Sequence, residues 1–114
     1  MTPDTLTIHT ESIGEAKLLA PQGDVDLSRS PALRNALRQA QTSKPPKVII
    51  DLAGVDYMDS SGVATLVEAL QIARRNNTKI VLCALSEKVR SILEIARLDT
   101  VFMIKPTRAD AAQA

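Results

Sequence analysis

Residues 47–63 read Lys-Val-Ile-Ile-Asp-Leu-Ala-Gly-Val-Asp-Tyr-Met-Asp-Ser-Ser-Gly-Val, and the hydrophobic period changes within them. Val48, Ile49 and Ile50 form a continuous apolar run, the pattern of a buried strand, inside a candidate strand Lys47 to Leu52. Apolar residues then recur at Val63, Leu66, Val67, Leu70 and Ala73, the spacing of one face of a helix. The connector Ala53 to Met58 leads to Asp59-Ser60-Ser61-Gly62 at the junction, with Ser60 at or near the N-cap. Unpaired backbone N–H groups and the positive end of the helix dipole favour negative charge there, and a phosphate is one such charge. Asp and Ser are also the residues that simply cap helices, so the tetrapeptide alone reads first as a cap.

Working toward the N-terminus, Thr42-Ser43-Lys44-Pro45-Pro46 is a loop that no helix can enter. Before it, Ser30-Pro31 has the form of an N-cap followed by proline at the first helical position, and Leu33, Ala36, Leu37 and Ala40 give a helical face ending near Gln41. Leu6 to Thr10 alternates, Ser12 to Glu15 offers a turn, and Ala16 to Ala20 is a second apolar segment, together a hairpin; Pro21 to Asp26 breaks regular pairing.

Toward the C-terminus, Arg74-Arg75-Asn76-Asn77 closes the second helix with positive charge at its end. Lys79 to Ala84 is the next strand, and Ser86 caps a third helix with Glu87 in its first turn and Val89, Ile92, Leu93 and Ala96 on one face. Val101 to Ile104 reads as a short strand and Thr107 to Ala112 as a terminal helix. Strands alternating with helices imply crossovers and a largely parallel sheet, to which the hairpin adds an antiparallel pair. The expected architecture is therefore α/β, with a mixed, mostly parallel sheet and about four helices over residues 1–114 as a single domain. The pattern leaves open whether helices cover one sheet face or both.

Composition removes several functions. The chain has 114 residues, 45% of them hydrophobic, enough to fill one core at this length. A net charge of +1 supplies no basic field for nucleic acid, and two aromatic residues, Tyr57 and Phe102, provide no stacking platform for bases. Cys83, the single cysteine, lies in an apolar strand and reads as an inert core thiol. His9 is also alone, on an edge or surface strand, so a zinc site lacks ligands and no metal or cofactor is expected. Met1 to Thr5 lacks a basic start with a following apolar stretch, and no run approaches the ~20 apolar residues of a membrane helix, so a soluble, cytoplasmic chain without membrane insertion is expected.

With the order hairpin, helix, strand, Asp-Ser-Ser-Gly, helix, strand, helix in place, the chain resembles the stand-alone STAS domains, the anti-sigma factor antagonists of bacteria. The likeness spans nearly the whole chain. It rests on Gly23-Asp24-Val25-Asp26, on Val48 to Leu52 leading to Tyr57-Met58-Asp59-Ser60-Ser61-Gly62, and on Lys79 to Ala84 followed by Ser86 and a helix. In that family the serine after the motif aspartate, here Ser60, is phosphorylated by a kinase that is also the anti-sigma factor. Asp26 and Asp59 match the family's acidic residues at the site. The family often has a glycine two residues after the motif glycine; this chain has Ala64, a better helix former and benign for the fold.

The resemblance implies a partner-switching protein with two partners: an anti-sigma factor/serine-protein kinase of the histidine-kinase-like ATPase type and a serine phosphatase of the PP2C type. The unphosphorylated form would bind and sequester the anti-sigma factor. The expected site comprises Ser60 with Asp26, Met58, Asp59, Ser61, Gly62 and Val63, the surface against which a partner packs being flanked by Met58 and Val63. Ser61 is expected to cap or pack, and Asp59 either orients the hydroxyl or caps the helix. Phosphorylation would add about −1.5 to −2 charge and abolish binding, with the helix N-terminus available to stabilise the phosphate and the fold retained. Gln71, Arg74 and Arg75 read as a solvated helix face.

An enzyme is not expected. Ser60 lacks the glycine-x-serine-x-glycine elbow, His9 is remote from it in sequence, and Gly54 is not followed by the glycine-lysine-serine/threonine pattern of a nucleotide-binding loop. The rival reading is a STAS regulatory subunit of a membrane transport complex of the ABC type, docked on its ATPase.

Overall fold

The computed structural model describes residues 6–114; the reading of Met1 to Thr5 lies outside the described residues. Chain order is β1 (Thr7–Ile13), β2 (Ala16–Gln22), α1 (Ser30–Gln41), β3 (Lys47–Asp51), α2 (Ser60–Arg75), β4 (Lys79–Cys83), α3 (Glu87–Ile95), β5 (Met103–Lys105) and α4 (Arg108–Gln113). The five strands form one sheet in the order β1-β2-β3-β4-β5. The first pair is antiparallel and the others parallel.

Each strand from β3 onward is laid beside its predecessor, so the successive crossovers carry α1, α2 and α3 onto the same face. The burial pattern shows it. Val48, Ile50, Ile80 and Leu82 join Leu33 and Leu37 of α1, Leu66 and Ala73 of α2, and Val89 and Leu93 of α3 in one core. The alternate residues of the same strands, Ile49, Val81 and Cys83, join Leu18, Ala20 and Ala111 of α4 in a smaller core on the opposite face. Both faces of the sheet are thus covered, three helices on one side and a short one on the other. The central strands read as continuous apolar runs for this reason.

A polar latch fixes α4. Asp51, 7% exposed, receives a forked pair from Arg108, Nη2 at 2.8 Å and Nε at 2.9 Å, and Arg108 Nη1 reaches Glu11 Oε1 at 3.3 Å. Lys47 Nζ donates to the carbonyls of Ala111 and Ala112 at the other end of the helix. Beneath it Cys83 is buried, and that burial, then the Asp51 carboxylate, pushes its thiol up to about 11. The thiol is protonated at neutral pH. His9 is exposed on the edge strand β1 and pairs with Glu11 at 2.9 Å.

Three local expectations shift. Pro21 lies within β2, paired with Ile8, because the ladder to β3 stops at Leu19 and no bond from position 21 is needed there. Ser30 is the first helical residue and buried, not the N-cap; Arg29 occupies that place without a side-chain cap. The Asp26 carbonyl accepts from the Ser30 N–H at 2.8 Å, and a turn over 26–29 feeds the helix instead. The last strand begins at Met103, since Val101 and Phe102 donate back to the Leu98 carbonyl in a turn.

Candidate functional site

The site is assembled where two connectors cross. Val25 N–H donates to the Tyr57 carbonyl and Asp59 N–H to the Val25 carbonyl, both at 3.0 Å, forming an isolated parallel bridge between Val25 and Met58. The segment that follows β2 is thereby stitched to the segment that precedes α2. Asp26 and Asp59, 33 positions apart in the chain, come to adjacent loops through this stitch.

Asp59 is the N-cap of α2, with extended backbone at φ −93° and ψ −170°. Its Oδ1 accepts from the Ser61 N–H at 2.9 Å, the Gly62 N–H at 3.3 Å and the Ser61 hydroxyl at 2.5 Å. The Ser61 hydroxyl, as the largest cause, holds the Asp59 carboxyl below the usual carboxylate range, helped by N–H groups that include that of Leu27. Ser61 is therefore spent: its hydroxyl goes to Asp59, and its carbonyl accepts from the Thr65 hydroxyl at 2.9 Å. Ser60, the first helical residue, is exposed, and its hydroxyl makes no side-chain hydrogen bond among the described residues.

Asp26 is organised in the same way. Its Oδ1 accepts from the Ser28 hydroxyl at 2.8 Å, the Ser28 N–H at 3.1 Å and the Arg29 N–H at 3.0 Å, an Asx turn. The Ser28 hydroxyl first, and Arg29 after it, hold its carboxyl low. Both acidic residues are ionised at neutral pH, and each spends Oδ1 on its own loop.

Met58 does not take the exposed position expected of it and lies at the base of the site. Met58 is fully buried, and Gly62 is buried against it: a Cβ at position 62 would lie 2.9 Å from Met58 Cβ and 3.0 Å from Val25 Cγ1. The glycine lets the helix start settle onto the stitched connectors, and Met58 is the floor beneath it. Val63 is partly buried and joins Tyr57, Ser60, Ile92 and Ala96 around a shallow hollow between the start of α2 and α3. Part of the helix N-terminus is already taken by the cap. The Ser61 and Gly62 N–H groups point to the Asp59 carboxylate, and the Val63 N–H donates to the Asp59 carbonyl at 3.1 Å.

The site expected from the sequence did not include Leu27, Tyr57, Ile92 or Ala96, although Tyr57 stands in the motif and Ile92 and Ala96 on the apolar face of α3. Leu27 is 76% exposed and Tyr57 47% exposed, both on the stitched connectors. An apolar residue inside the Asp26-Leu27-Ser28 turn is the signal that was available for the first of them. Gln71, Arg74 and Arg75 are exposed on α2.

Comparison with known proteins gives a coherent set. A family model described as STAS domain matches residues 7–111. The anti-sigma-B factor antagonist of Listeria monocytogenes is 32% identical over 83 residues, covering 73% of each chain. The anti-sigma-F factor antagonist of Mycobacterium tuberculosis is 25% identical over 109 residues, 96% of this chain and 88% of that one. The crystal structure of an anti-sigma factor antagonist from Mycobacterium paratuberculosis superposes with a TM-score of 0.89 at 25% identity, over 98% of this chain and 95% of the other.

Proposed function

The chain belongs to the STAS domain family, and from that premise we propose that it is an anti-sigma factor antagonist whose unphosphorylated form sequesters an anti-sigma factor and whose switch is Ser60. The observation that carries the choice of residue is the contrast between the two serines. The Ser61 hydroxyl is committed to Asp59, whereas the Ser60 hydroxyl projects into solvent with no competing partner among the described residues. A kinase can take the one without breaking the helix cap.

The chemistry of the switch follows from the occupied cap. A phosphate on Ser60 adds about −1.5 to −2 charge and acceptor oxygens. Two of the N–H groups that would neutralise it, those of Ser61 and Gly62, are already held by Asp59, and the carboxylates of Asp59 and Asp26 on the adjoining loops are ionised. A partner surface fitted to the neutral hydroxyl must then desolvate an uncompensated dianion. A loss of about 3 kcal/mol lowers affinity roughly a hundredfold, sufficient for release. The fold is retained, because no existing bond has to break.

In this reading the partner is a serine kinase of the histidine-kinase-like ATPase type that doubles as the anti-sigma factor, and a phosphatase of the PP2C type resets Ser60. The chain acts in the cytoplasm as one STAS unit and catalyses nothing itself; among the described residues no helix is long and apolar enough to cross a membrane. Asp26 and Asp59 set the charge of the site, Ser61 and Gly62 hold its shape over Met58, and Val63 contributes apolar contact. The test incubates the protein with such a kinase and ATP, locates the phosphate by mass spectrometry, and compares kinase binding by wild type, Ser60→Ala and Ser60→Asp. Phosphate on Ser60 and binding lost only in the aspartate form are expected; phosphate elsewhere, or equal binding by all three, refutes the assignment.

A further inference from the structure

The two edges of the sheet are not alike. β5 is three residues long, ends in Lys105 and runs into Pro106, devices that keep a sheet edge from pairing. β1 has none of them. Its seven residues, Thr-Ile-His-Thr-Glu-Ser-Ile, include no proline, glycine or lysine, and its register with β2 runs without a bulge from Thr7 opposite Gln22 to Ile13 opposite Ala16. Among the described residues no strand pairs with its outer side.

Pro21 fixes which backbone groups that outer side presents. Opposite Ile8, it has no N–H to give β1, and two positions on, the Gly23 N–H donates to the Gly54 carbonyl at 2.9 Å, just past β3. The alternate residues Leu19, Pro21 and Gly23 therefore turn their backbone polar groups toward β3. Their partners across the antiparallel pair, Thr10 and Ile8, turn theirs away from β2, and Ser12 follows by the same alternation. Three N–H and three C=O groups, those of Ile8, Thr10 and Ser12, are thus left to water along the edge. The side chains of His9 and Glu11 lie on the α4 face, both exposed. Glu11 Oε1 takes His9 Nε2 at 2.9 Å and Arg108 Nη1 at 3.3 Å, so its Oε2 is without a partner among the described residues. On the α1 face Thr10 and Ser12 are exposed beside a hollow of about 680 Å³ bordered by Ala36 and Ala40.

We propose that β1 pairs with β1 of a second copy of this chain, antiparallel about a two-fold axis at Thr10, so that two five-stranded sheets become one. With Thr10 opposite Thr10, Ile8 falls opposite Ser12, and all three outward-turned residues of each copy exchange N–H to C=O bonds with their counterparts. His9 then falls opposite Glu11 of the second copy, and Glu11 opposite its His9. These are the positions without backbone bonds, where Cα atoms approach to about 4.5 Å and side chains are closest. Each imidazole meets a carboxylate whose Oε2 is open, and no like charges are opposed. An axis at Ile8 or Ser12 would shorten the ladder and move His9 off Glu11. The contact is self-complementary and closes at two copies. β1 lies beyond β2 in the sheet while α2 packs on β4, so Ser60 of both copies stays exposed in the pair.

The test measures the mass of the full chain by sedimentation equilibrium from micromolar to millimolar concentration, for wild type, Thr10→Pro, His9→Glu and the exchanged pair His9→Glu/Glu11→His, after circular dichroism of each. Thr10→Pro removes an N–H that faces water in the monomer, a change an edge strand tolerates. If it misfolds, the exposed position 9 decides alone. Wild type is expected to pass from monomer to dimer across the range. Dimerisation should weaken about tenfold or more in Thr10→Pro and in His9→Glu, which sets carboxylate against carboxylate, and return in the exchanged pair. A wild type that stays monomeric throughout overturns the proposal. A dimer that neither single change weakens forms through another surface and overturns it too, and an exchanged pair as weak as His9→Glu refutes the register.

Discussion

The Ser61 hydroxyl donates to Asp59 Oδ1 at 2.5 Å, and this bond divides the labour between the two serines of the motif. Asp59 gathers that hydroxyl and two backbone N–H groups on one oxygen, so the cap and the second serine form a unit from which Ser60 is left out. Two serines that are equivalent in composition are thereby distinct in chemistry.

Ser61→Ala should therefore remain a substrate for phosphorylation at Ser60, with stability lowered by about 1 kcal/mol, the usual worth of one such hydrogen bond. Ser60→Ala should lose phosphate incorporation entirely at almost unchanged stability, since its hydroxyl bonds to no side chain. Intact-mass spectrometry after kinase treatment and urea midpoints read the two effects separately; phosphate persisting on Ser60→Ala contradicts the division.

Removing the cap itself has a pH signature. Asp59→Ala should cost about 0.5–2 kcal/mol at pH 7, the range for losing a side-chain N-cap. The folded-state pKa of Asp59 is depressed, chiefly by the Ser61 hydroxyl. Its ionised form therefore contributes stability that is fully present above the unfolded carboxylate value, near pH 4, and is lost as pH falls through the lower folded value. The stability gap between wild type and Asp59→Asn, whose side chain caps without titrating, should be constant from pH 7 to 5 and change below about pH 4. Urea midpoints across that range decide it; a gap that already moves near neutrality is incompatible with this assignment.

The glycine of the motif makes a different demand. A methyl at position 62 meets Met58 Cβ at 2.9 Å and Val25 Cγ1 at 3.0 Å, atoms held by the backbone stitch and unable to retreat far. Gly62→Ala should cost about 1–3 kcal/mol through overpacking, more than any helix-propensity gain returns. Adding Val25→Ala relieves one of the two contacts, and the pair should lose less than the sum of the single changes. A double-mutant cycle from denaturant melts measures that coupling, and strict additivity would count against the packing explanation.

How much of this was legible in the chain depends on the range of the cause. The strand Lys47–Asp51 and the helix Ser60–Arg75 are written in local period, and Ser86 declares itself a cap because it sits directly before the helix it serves. The Ser30-Pro31 pattern misled because Asp26 competes for the same turn, accepting from Ser28 and Arg29, and an Asx turn is not a periodic signal. The acidic pair could be named from the motif, but what brings Asp26 beside Asp59 is the Val25 to Met58 bridge, a pairing of two non-periodic connectors. The burial of Met58 and Gly62 follows from that same contact. Which sheet face each helix covers was likewise settled by strand order.

The far side of the sheet offers the last test, because one guanidinium, that of Arg108, ties the start of α4 to the sheet while Lys47 holds its end. Arg108→Ala leaves the Asp51 carboxylate, 7% exposed, without the fork that spans 2.8 and 2.9 Å. An orphaned acceptor of this kind costs about 1–3 kcal/mol, the lower part of the range being expected because Arg108 itself is partly solvated. The helix should then open locally, and Ala111 with it should leave the small core that covers Cys83. Loss of the cation also removes the one influence that lowers the Cys83 thiol, so the thiol does not become intrinsically more reactive. Faster modification of Cys83 by a thiol reagent at neutral pH would thus report opening of α4 alone. The expected outcome is a rate increase of tenfold or more in Arg108→Ala, reversed toward wild type by Arg108→Lys, with Ser60 phosphorylation unaffected because the phosphoacceptor lies across the sheet among α1, α2 and α3. An unchanged thiol rate would show that the Lys47 bonds and the apolar contact of Ala111 hold the helix without Arg108.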